Sequence, residues 1–212
     1  FNSIDELIIL NVSREEKNIT KFCEGVADVA TRCFVPIASG GGVKSIDDFH
    51  KLLNSGADKV IVNTAAYENP DFIAEAAKIF GSQCVVASVD VKKNKNGIYE
   101  VWVCNGSKNI HINVFDWVKQ LEHLGVGEIF LTSIDEDGRC GGYDIGLVKK
   151  VSETVSIPVI ASGGAGKMED FKDVFQIGRA DAALAASLFH FGEISIKKLK
   201  KIMKLSNIST RL

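Results

Sequence analysis

The chain has 212 residues, of which 46% are hydrophobic and 25% are charged, and its formal net charge at pH 7 is −2. This balance is typical of a globular protein and excludes a disordered tail, and no apolar run approaches the roughly 20 residues of a membrane-spanning helix. The near-neutral charge excludes attraction to nucleic acid through overall basicity, although a local anion site is compatible with it.

The cysteines favour free thiols rather than disulfides or zinc. There are five of them, an odd number, without a Cys-x-x-Cys pair, which argues against a disulfide framework and a structural zinc site. No signal-like apolar stretch precedes the first predicted strand. We therefore expect a cytoplasmic protein with free thiols at Cys23, Cys33, Cys84, Cys104 and Cys140.

Apolar runs rich in β-branched residues alternate with stretches of helical periodicity. Strands that are almost entirely apolar are typical of parallel βαβ units, in which helices cover both faces of the sheet. The predicted strands are Glu6–Val12, Val35–Ser39, Lys59–Asn63, Cys84–Val91, Glu128–Ile134, Pro158–Ser162 and Ala182–Leu188. The predicted helices between them include Ser45–Ser55, Pro70–Phe80, Val114–Leu124 and Met168–Gln176.

Residues 93–113 break this alternation. Within them Tyr99–Val103 alternates apolar and polar residues and is flanked by Asn96-Gly97 and Asn105-Gly106, which are typical turn dipeptides. We expect a β-hairpin here, inserted after the strand at 84–91. A hairpin at the carboxyl end of a strand is usually a lid or a decorated loop.

The sequence also repeats itself. Val35–Gly41 recurs as Ile157–Gly164, with an offset of 122 residues between the two prolines. The offset is too long for a solenoid, so we interpret it as a duplicated half of four βα units, and two halves make a (β/α)8 TIM barrel. Only seven barrel strands are predicted, and the repeat partner of the strand at 84–91 would fall before Phe1. We therefore expect a single barrel domain over 1–212 whose first βα unit is missing from this chain.

In such barrels the active site lies at the carboxyl ends of the strands. Asp90 ends an otherwise apolar strand, where a half-buried carboxylate could act as a general acid or base. A capping role or a pair with a neighbouring lysine is the alternative. The other candidates at strand ends are Asn11, Ser13, Gly40–Gly42, Asn63, Thr64, Thr132, Ser133, Asp135–Gly138, Ser162–Gly164, Ala186 and Ser187.

Two of these ends are glycine-rich and related by the repeat, Gly40–Gly42 and Gly163-Gly164. Glycines let backbone N–H groups approach an anion closely. Each cluster is followed one strand later by a small polar end, Asn63-Thr64 or Ala186-Ser187. The pattern predicts two phosphate sites for one doubly phosphorylated ligand, although the glycines could instead only make tight turns.

Other motifs give no cofactor. Asp135–Gly138 starts like a calcium loop, but its glycine stands fourth rather than sixth. There is no Walker or dinucleotide glycine motif. The histidines lack ligand spacing, and His111 in the hairpin is the one that could reach a ligand. We expect no metal, no cofactor, no nucleic acid and no membrane partner.

At this point the chain resembles a known family, the cyclase subunits of imidazole glycerol-phosphate synthase in histidine biosynthesis. The resemblance covers essentially the whole chain. The related isomerase of the same pathway matches the stretches below less well. The specific stretches are Gly56–Val60, Phe80–Gln83, Gly127–Ile129, Leu131–Asp135, Ala161–Gly166, Ala182–Ser187 and Phe189–Phe191.

The resemblance implies a lyase-type cyclase without a cofactor. Ammonia from a glutaminase subunit, docked on the amino-terminal face of the barrel, would attack a doubly phosphorylated ribulosyl substrate. The products would be imidazole glycerol phosphate and aminoimidazole carboxamide ribotide. Two aspartates do the acid–base work in the family; one matches Asp90, and the other ends the first strand.

The other family residues also have counterparts here. Three charges match the ammonia entrance: Glu6, Lys59 and Glu128. The positions of these charges at strand starts indicate by themselves a role in stabilising the amino-terminal face of the barrel, with the guarding of an axial passage as the alternative. One phosphate is matched by Gly42, Asn63 and Thr64, and the other by Asp137, Gly138, Gly164, Ala186 and Ser187.

The chain also departs from the family. Asn11 stands where the family has an aspartate, and Arg139-Cys140 replaces a Thr-Lys pair. The strand Val86–Lys93 and the hairpin segment Tyr99–Val101 resemble a paralogous group in some ways more closely. Those paralogues work with an amidotransferase in making amidino groups on bacterial surface sugars, and this stays an alternative function. A non-catalytic truncated fragment is a third interpretation.

Overall fold

The computed structural model describes residues 3–13 and 18–211, which form an α/β protein with parallel strands. The strands are β1 (Leu7–Leu10), β2 (Ile37–Gly40), β3 (Lys59–Val62), β4 (Val85–Lys93), β5 (Tyr99–Val103), β6 (Lys108–Asn113), β7 (Glu128–Ser133), β8 (Val159–Ser162) and β9 (Ala182–Ala183). The helices are α1 (Ile19–Ala30), α2 (Ile46–Asn54), α3 (Thr64–Glu68), α4 (Pro70–Phe80), α5 (Val114–His123), α6 (Ile145–Ser152), α7 (Met168–Gln176), α8 (Ser187–His190) and α9 (Ile196–Leu205). None of the helices in this described part is long and apolar enough to cross a bilayer.

The chain divides into two compact units. Unit 1 comprises the described residues within Phe1–Ser88 and Leu121–Glu128, and unit 2 comprises those within Val89–Gln120 and Ile129–Leu212. Each has its own buried apolar core.

Unit 1 is built on parallel pairs in chain order. Leu7 is paired with Ile37, Gly40 with Ile61 and Val60 with Val85, so β1, β2, β3 and the start of β4 lie side by side. All four residues of β2 are buried, as expected for a strand covered on both faces.

The core of unit 1 contains an aromatic cluster. The Phe49 ring is fully buried; it stacks on Phe80 with centroids 5.2 Å apart and meets Phe72 edge-on at 5.8 Å. The sequence places Phe49 on the inner face of α2, which begins with a Ser45–Asp48 capping box. The cluster therefore joins α2 to α4.

Replacing Phe49 by alanine should lower the free energy of unfolding by about 3–5 kcal/mol, because it leaves a cavity in a packed core. Urea denaturation measures this loss when the variant and the unaltered protein show the same m value. Phe34 is 94% exposed, so Phe34→Ala is the matched control and should change stability by less than about 0.5 kcal/mol. Similar losses in both variants would contradict this description of the core.

Unit 2 combines a hairpin with a parallel sheet. The end of β4 pairs antiparallel with β5, with Asp90 opposite Trp102, and β5 pairs antiparallel with β6. β7, β8 and β9 are parallel, with Ile129 opposite Val159. The structure thus has two antiparallel strands within residues 93–113, where the turn dipeptides predict a hairpin.

The internal repeat is visible in corresponding hydrogen bonds. In unit 1, Asp58 Oδ2 accepts the Ile37 N–H at 2.8 Å. In unit 2, Asp181 Oδ2 accepts the Val159 N–H at 2.9 Å. Each aspartate stands just before one strand and bonds the first residue of the neighbouring strand, β2 for Asp58 and β8 for Asp181. The two halves of the repeat therefore share this hydrogen bond as well as a sequence motif.

One predicted strand is much shorter than expected. The prediction of a strand over Ala182–Leu188 is wrong after the second residue, because β9 covers only Ala182–Ala183 and Ser187 already begins α8. The segment between them is rich in alanine, which favours helices and packs poorly in sheets. Leu184 N–H still donates to Ala161 at 2.9 Å, so the backbone stays beside β8 after the strand ends.

Candidate functional site

Asp90 lies in a cavity of unit 2 of about 290 Å³. The strand register directs the side chains of Asp90 and its cross-strand partner Trp102 to the same face of the antiparallel pair. The cavity is lined by Asp90, Asn105, Gly106, Thr132, Ile134 and Asp137. The lining therefore includes a hydroxyl, an amide and two carboxylates, a set that can orient a polar ligand and exchange protons with it.

Some of these lining residues are not among the residues that the family resemblance indicates. Asn105 and Gly106 form a turn of the hairpin, and Asn105 has a positive φ of 56°. A Cβ on Gly106 would lie 3.4 Å from Ile134 Cδ1, which shows how closely the turn approaches the β7 end. The Asn-Gly dipeptide signals a turn but not its place beside Asp90, so Asn105 and Gly106 could not have been predicted, whereas Thr132 and Asp137 are strand-end candidates that the sequence gives.

A second cavity of unit 2, of about 160 Å³, brings together the residues predicted for one phosphate. Its lining includes Asp137, Gly138, Gly164, Ala186 and Ser187. These come from the segment after β7 and the ends of β8 and β9, which are neighbours because the strands are parallel. Among the described residues of its lining none is Lys or Arg, so an anion here would depend on backbone N–H groups and on the hydroxyls of Ser162 and Ser187.

The glycines of this second cavity are needed for backbone reasons. Gly163 and Gly164 have φ of 88° and 104°, which favours glycine. A Cβ on Gly164 would overlap the carbonyl oxygen of Gly142, whose N–H in turn donates to Gly164 at 2.8 Å. The loop after β8 is thus held against the segment after β7 by direct backbone contact.

Unit 1 has the corresponding arrangement at β2 and β3. Gly41 and Gly42 have φ of 99° and 92°, and a Cβ on Gly41 would overlap the backbone of Asn11. Asn63 and Thr64 follow β3, and Asn63 Nδ2 donates to the Ser88 carbonyl at 3.1 Å. Because Gly40 is opposite Ile61 in the register, Gly42 and Asn63 lie at the same edge of the sheet.

Asn11, at the position where the sequence resemblance implies an aspartate, lies at this edge too, because Leu10 is opposite Gly40. Its Oδ1 accepts the Ser13 N–H at 3.1 Å. A carboxylate oxygen could accept the same bond, so the local backbone does not require an amide at this position.

The three charges of the predicted ammonia entrance form one cluster in unit 1. Lys59 Nζ lies 2.6 Å from Glu128 Oε1 and 3.0 Å from Glu6 Oε2. The side chains of Lys59 and Glu128 are only 16% and 17% exposed, whereas that of Glu6 is 43% exposed. Among the described residues nothing hydrogen-bonds the buried Glu128 Oε2. The cluster therefore carries a net negative charge and one unused acceptor.

The cluster also perturbs the lysine. Burial acts to lower the pKa of Lys59, but hydrogen bonds to Glu128 and Glu6 outweigh it, and the pKa is raised overall. Lys59 therefore stays protonated at neutral pH, and the pair of carboxylates keeps its shared cation.

Metal binding has no structural support in the part of the chain described. In residues 3–13 and 18–211 there is no group of three or more His, Cys, Asp or Glu side chains that could hold a metal ion. The hairpin residue His111 is exposed, and its backbone N–H donates to Asn109 Oδ1 at 2.8 Å.

Comparison with known proteins gives the same family across the chain. Residues 1–195 match the family described as histidine biosynthesis protein. The chain is 49% identical to the imidazole glycerol phosphate synthase subunit HisF of Campylobacter concisus and 46% identical to that of Natranaerobius thermophilus, each over 208 residues. The HisF subunit of Methanosarcina mazei is 43% identical. In each case the match covers 98% of this chain and 82% of the relative.

Proposed function

Since the chain belongs to the family of histidine biosynthesis proteins, we propose that it is the cyclase subunit of an imidazole glycerol phosphate synthase. Its relatives named as HisF subunits support an enzyme of this type. The reaction would use ammonia and a doubly phosphorylated ribulosyl substrate, as the sequence resemblance implies.

The observation that carries this proposal is the place of Asp90. Its carboxylate lies in a cavity large enough for part of a small substrate, at about 290 Å³, beside Thr132 and Asn105. We infer that Asp90 gives or takes a proton as ammonia adds and the imidazole ring closes. Thr132 and Asn105 would orient the reacting group through hydrogen bonds.

Each unit would supply one phosphate site. In unit 2 the glycine-lined cavity with Gly138, Gly164 and Ser187 offers backbone N–H groups, and in unit 1 the paired ends of β2 and β3 offer Gly42 and Asn63. Backbone amides suit phosphate because they supply hydrogen bonds without a mobile side chain. Ala186, Asp137 and Thr64 complete the two sets.

We also propose that the parallel strands belong to a (β/α)8 barrel built from two duplicated half-barrels. The matching ties made by Asp58 and Asp181 support the duplication. A first βα unit ahead of Phe1 stays a prediction from the 122-residue repeat.

The direct test is ammonia-dependent turnover of the ribulosyl substrate by the purified protein, followed through formation of both products. Turnover supports the cyclase. Its absence, in a folded protein supplied with the glutaminase subunit as well, would contradict it. The paralogue that acts on surface sugars is the alternative, favoured by Asn11, and it predicts no such turnover.

Lys59 offers a test of the ammonia entrance and of the glutaminase partner. In Lys59→Met two carboxylates lose their shared cation, so the cluster should rearrange and stability fall by about 1–3 kcal/mol. Glutamine-dependent turnover of the complex should fall about tenfold more than turnover with added ammonia, because only the former uses the entrance.

Lys51→Met is the matched control for this test. Lys51 pairs with Asp47 at 2.6 Å, but the side chains are 42% and 73% exposed, so the loss should leave the stability and both activities unchanged. Equal losses with glutamine and with ammonia in Lys59→Met would exclude the entrance role.

A further inference from the structure

Asp144, at the start of α6, accepts hydrogen bonds from two separate parts of unit 2. The Tyr99 hydroxyl lies 3.0 Å from each of its carboxylate oxygens, and the Leu147 N–H donates to Oδ1 at 2.9 Å. Its side chain is only 9% exposed. A carboxylate held in this way by a tyrosine 45 positions earlier connects distant segments, whereas the N-cap bond alone would be a local feature.

Lys93 completes the arrangement. Its Nζ lies 3.1 Å from Asp144 Oδ2 and 4.7 Å from the centroid of the Tyr99 ring. The Lys93 backbone N–H donates to Asp135 Oδ2 at 2.8 Å. Lys93 is the last residue of β4 and Tyr99 the first of β5, so both ends of the turn at 94–98 are tied to the segment that follows β7, and Tyr99 also stands at the base of the β5–β6 hairpin.

The hairpin is also held from within. Glu100 accepts Asn94 Nδ2 at 2.9 Å and Asn109 Nδ2 at 2.7 Å, one on each carboxylate oxygen. Glu100 on β5 is therefore linked both to β6 and to the turn at 94–98. Movement of the base would carry with it the turn containing Asn105 and Gly106, which line the Asp90 cavity.

The other wall of that cavity comes from the segment to which the base is tied. Ile134 and Asp137 follow β7 and lie between its end and Asp144. The tie thus connects one wall of the cavity to the other. The bonds of Tyr99 and Lys93 to this segment therefore fix the separation of the two walls. Their loss would change the distance between the turn and Asp137.

We propose that Asp144 is a positioning residue of the active site, which holds the hairpin closed over the Asp90 cavity through Tyr99 and Lys93. The proposal rests on the proposed function for its effect on turnover. It assigns no contact with substrate to Asp144, and it makes the hairpin a fixed wall of the cavity rather than a freely moving lid.

Tyr99→Phe is the sharpest test, because it removes the hydroxyl and keeps the ring. A hydrogen bond to a charged group is strong enough that we expect kcat/KM to fall about tenfold, with hydrogen exchange rising about tenfold across residues 99–113. Exchange in α6 should stay unchanged, since the Leu147 N–H keeps its acceptor. Lys93→Met should give a smaller loss in the same direction.

Lys95→Met is the matched control. Lys95 is an exposed lysine in the turn between β4 and β5. Its replacement should leave kcat/KM and the hydrogen exchange of the hairpin unchanged. In Asp144→Asn the amide oxygen can still accept from Tyr99 and Leu147, so this variant should resemble Lys93→Met rather than Tyr99→Phe.

The outcomes separate the two proposals. Unchanged kcat/KM and unchanged exchange of the hairpin in Tyr99→Phe would overturn the positioning role. A rise of exchange in residues 145–152 instead would also overturn it, because Asp144 would then serve only the helix. If the unaltered protein turns over no ribulosyl substrate, the proposed function fails, and hairpin exchange still decides whether the tie exists.

Discussion

Asp90→Asn should lower ammonia-dependent turnover of the ribulosyl substrate by about 10²–10⁴-fold, the usual contribution of a general acid or base. Asparagine keeps the shape of the side chain and one acceptor oxygen, but it replaces the other oxygen by an NH2 donor and cannot exchange a proton at neutral pH. The loss should appear in kcat, with little change in KM, because the phosphate sites are made by other residues. Steady-state kinetics with saturating ammonia measure both constants.

Asp116→Asn is the control for this variant. Asp116 is an exposed carboxylate in the first turn of α5 and lines neither of the two cavities, so its loss should leave kcat unchanged. Circular dichroism should show both variants folded. Near-normal turnover in Asp90→Asn would remove this residue from the chemistry and leave it a structural role in β4.

Gly164→Ala should disable the phosphate cavity of unit 2. The residue has a φ of 104°, and a Cβ there would overlap the Gly142 carbonyl, so the two loops must separate. Backbone strain and overpacking together should lower the free energy of unfolding by about 2–4 kcal/mol. KM for the phosphorylated substrate should rise at least about tenfold, because the backbone N–H groups lose their alignment.

Gly192→Ala separates strain from site geometry. Gly192 also has a positive φ, 71°, but a Cβ there meets nothing within 4 Å. Gly192→Ala should lower the free energy of unfolding by about 1 kcal/mol and leave KM unchanged. If Gly164→Ala showed the same small loss and an unchanged KM, backbone donors in this loop would not be holding the phosphate.

Much of the fold could be predicted because local signals and tertiary packing agree. The predicted helix Pro70–Phe80 is the observed α4, with proline at its first position and Gly81 at its end, where φ is 87°. The apolar run at 85–91 is long and β-branched enough to identify a buried strand. The run at 182–188 is not, because alanine has no strong preference for the sheet.

The candidate site could be predicted only where topology alone decides which residues meet. Parallel strands bring their ends to one edge, and this is why Gly164 and Ser187 could be paired from the sequence. It also explains the cluster of Glu6, Lys59 and Glu128, since these three residues stand at strand starts. No such rule relates Tyr99 to Asp144, whose contact depends on how the hairpin folds back.

The two aspartates at the starts of strands, Asp58 and Asp181, have a consequence for evolvability. Each fastens a strand pair at the edge opposite the candidate site, through a bond to a backbone amide of Ile37 or Val159. A lineage can therefore exchange side chains at the other edge without loosening the sheet. The anchoring of these strands is thus separate from the edges at which Asn63 and Ser187 lie, and a change of side chain at those edges leaves the bonds of Asp58 and Asp181 in place.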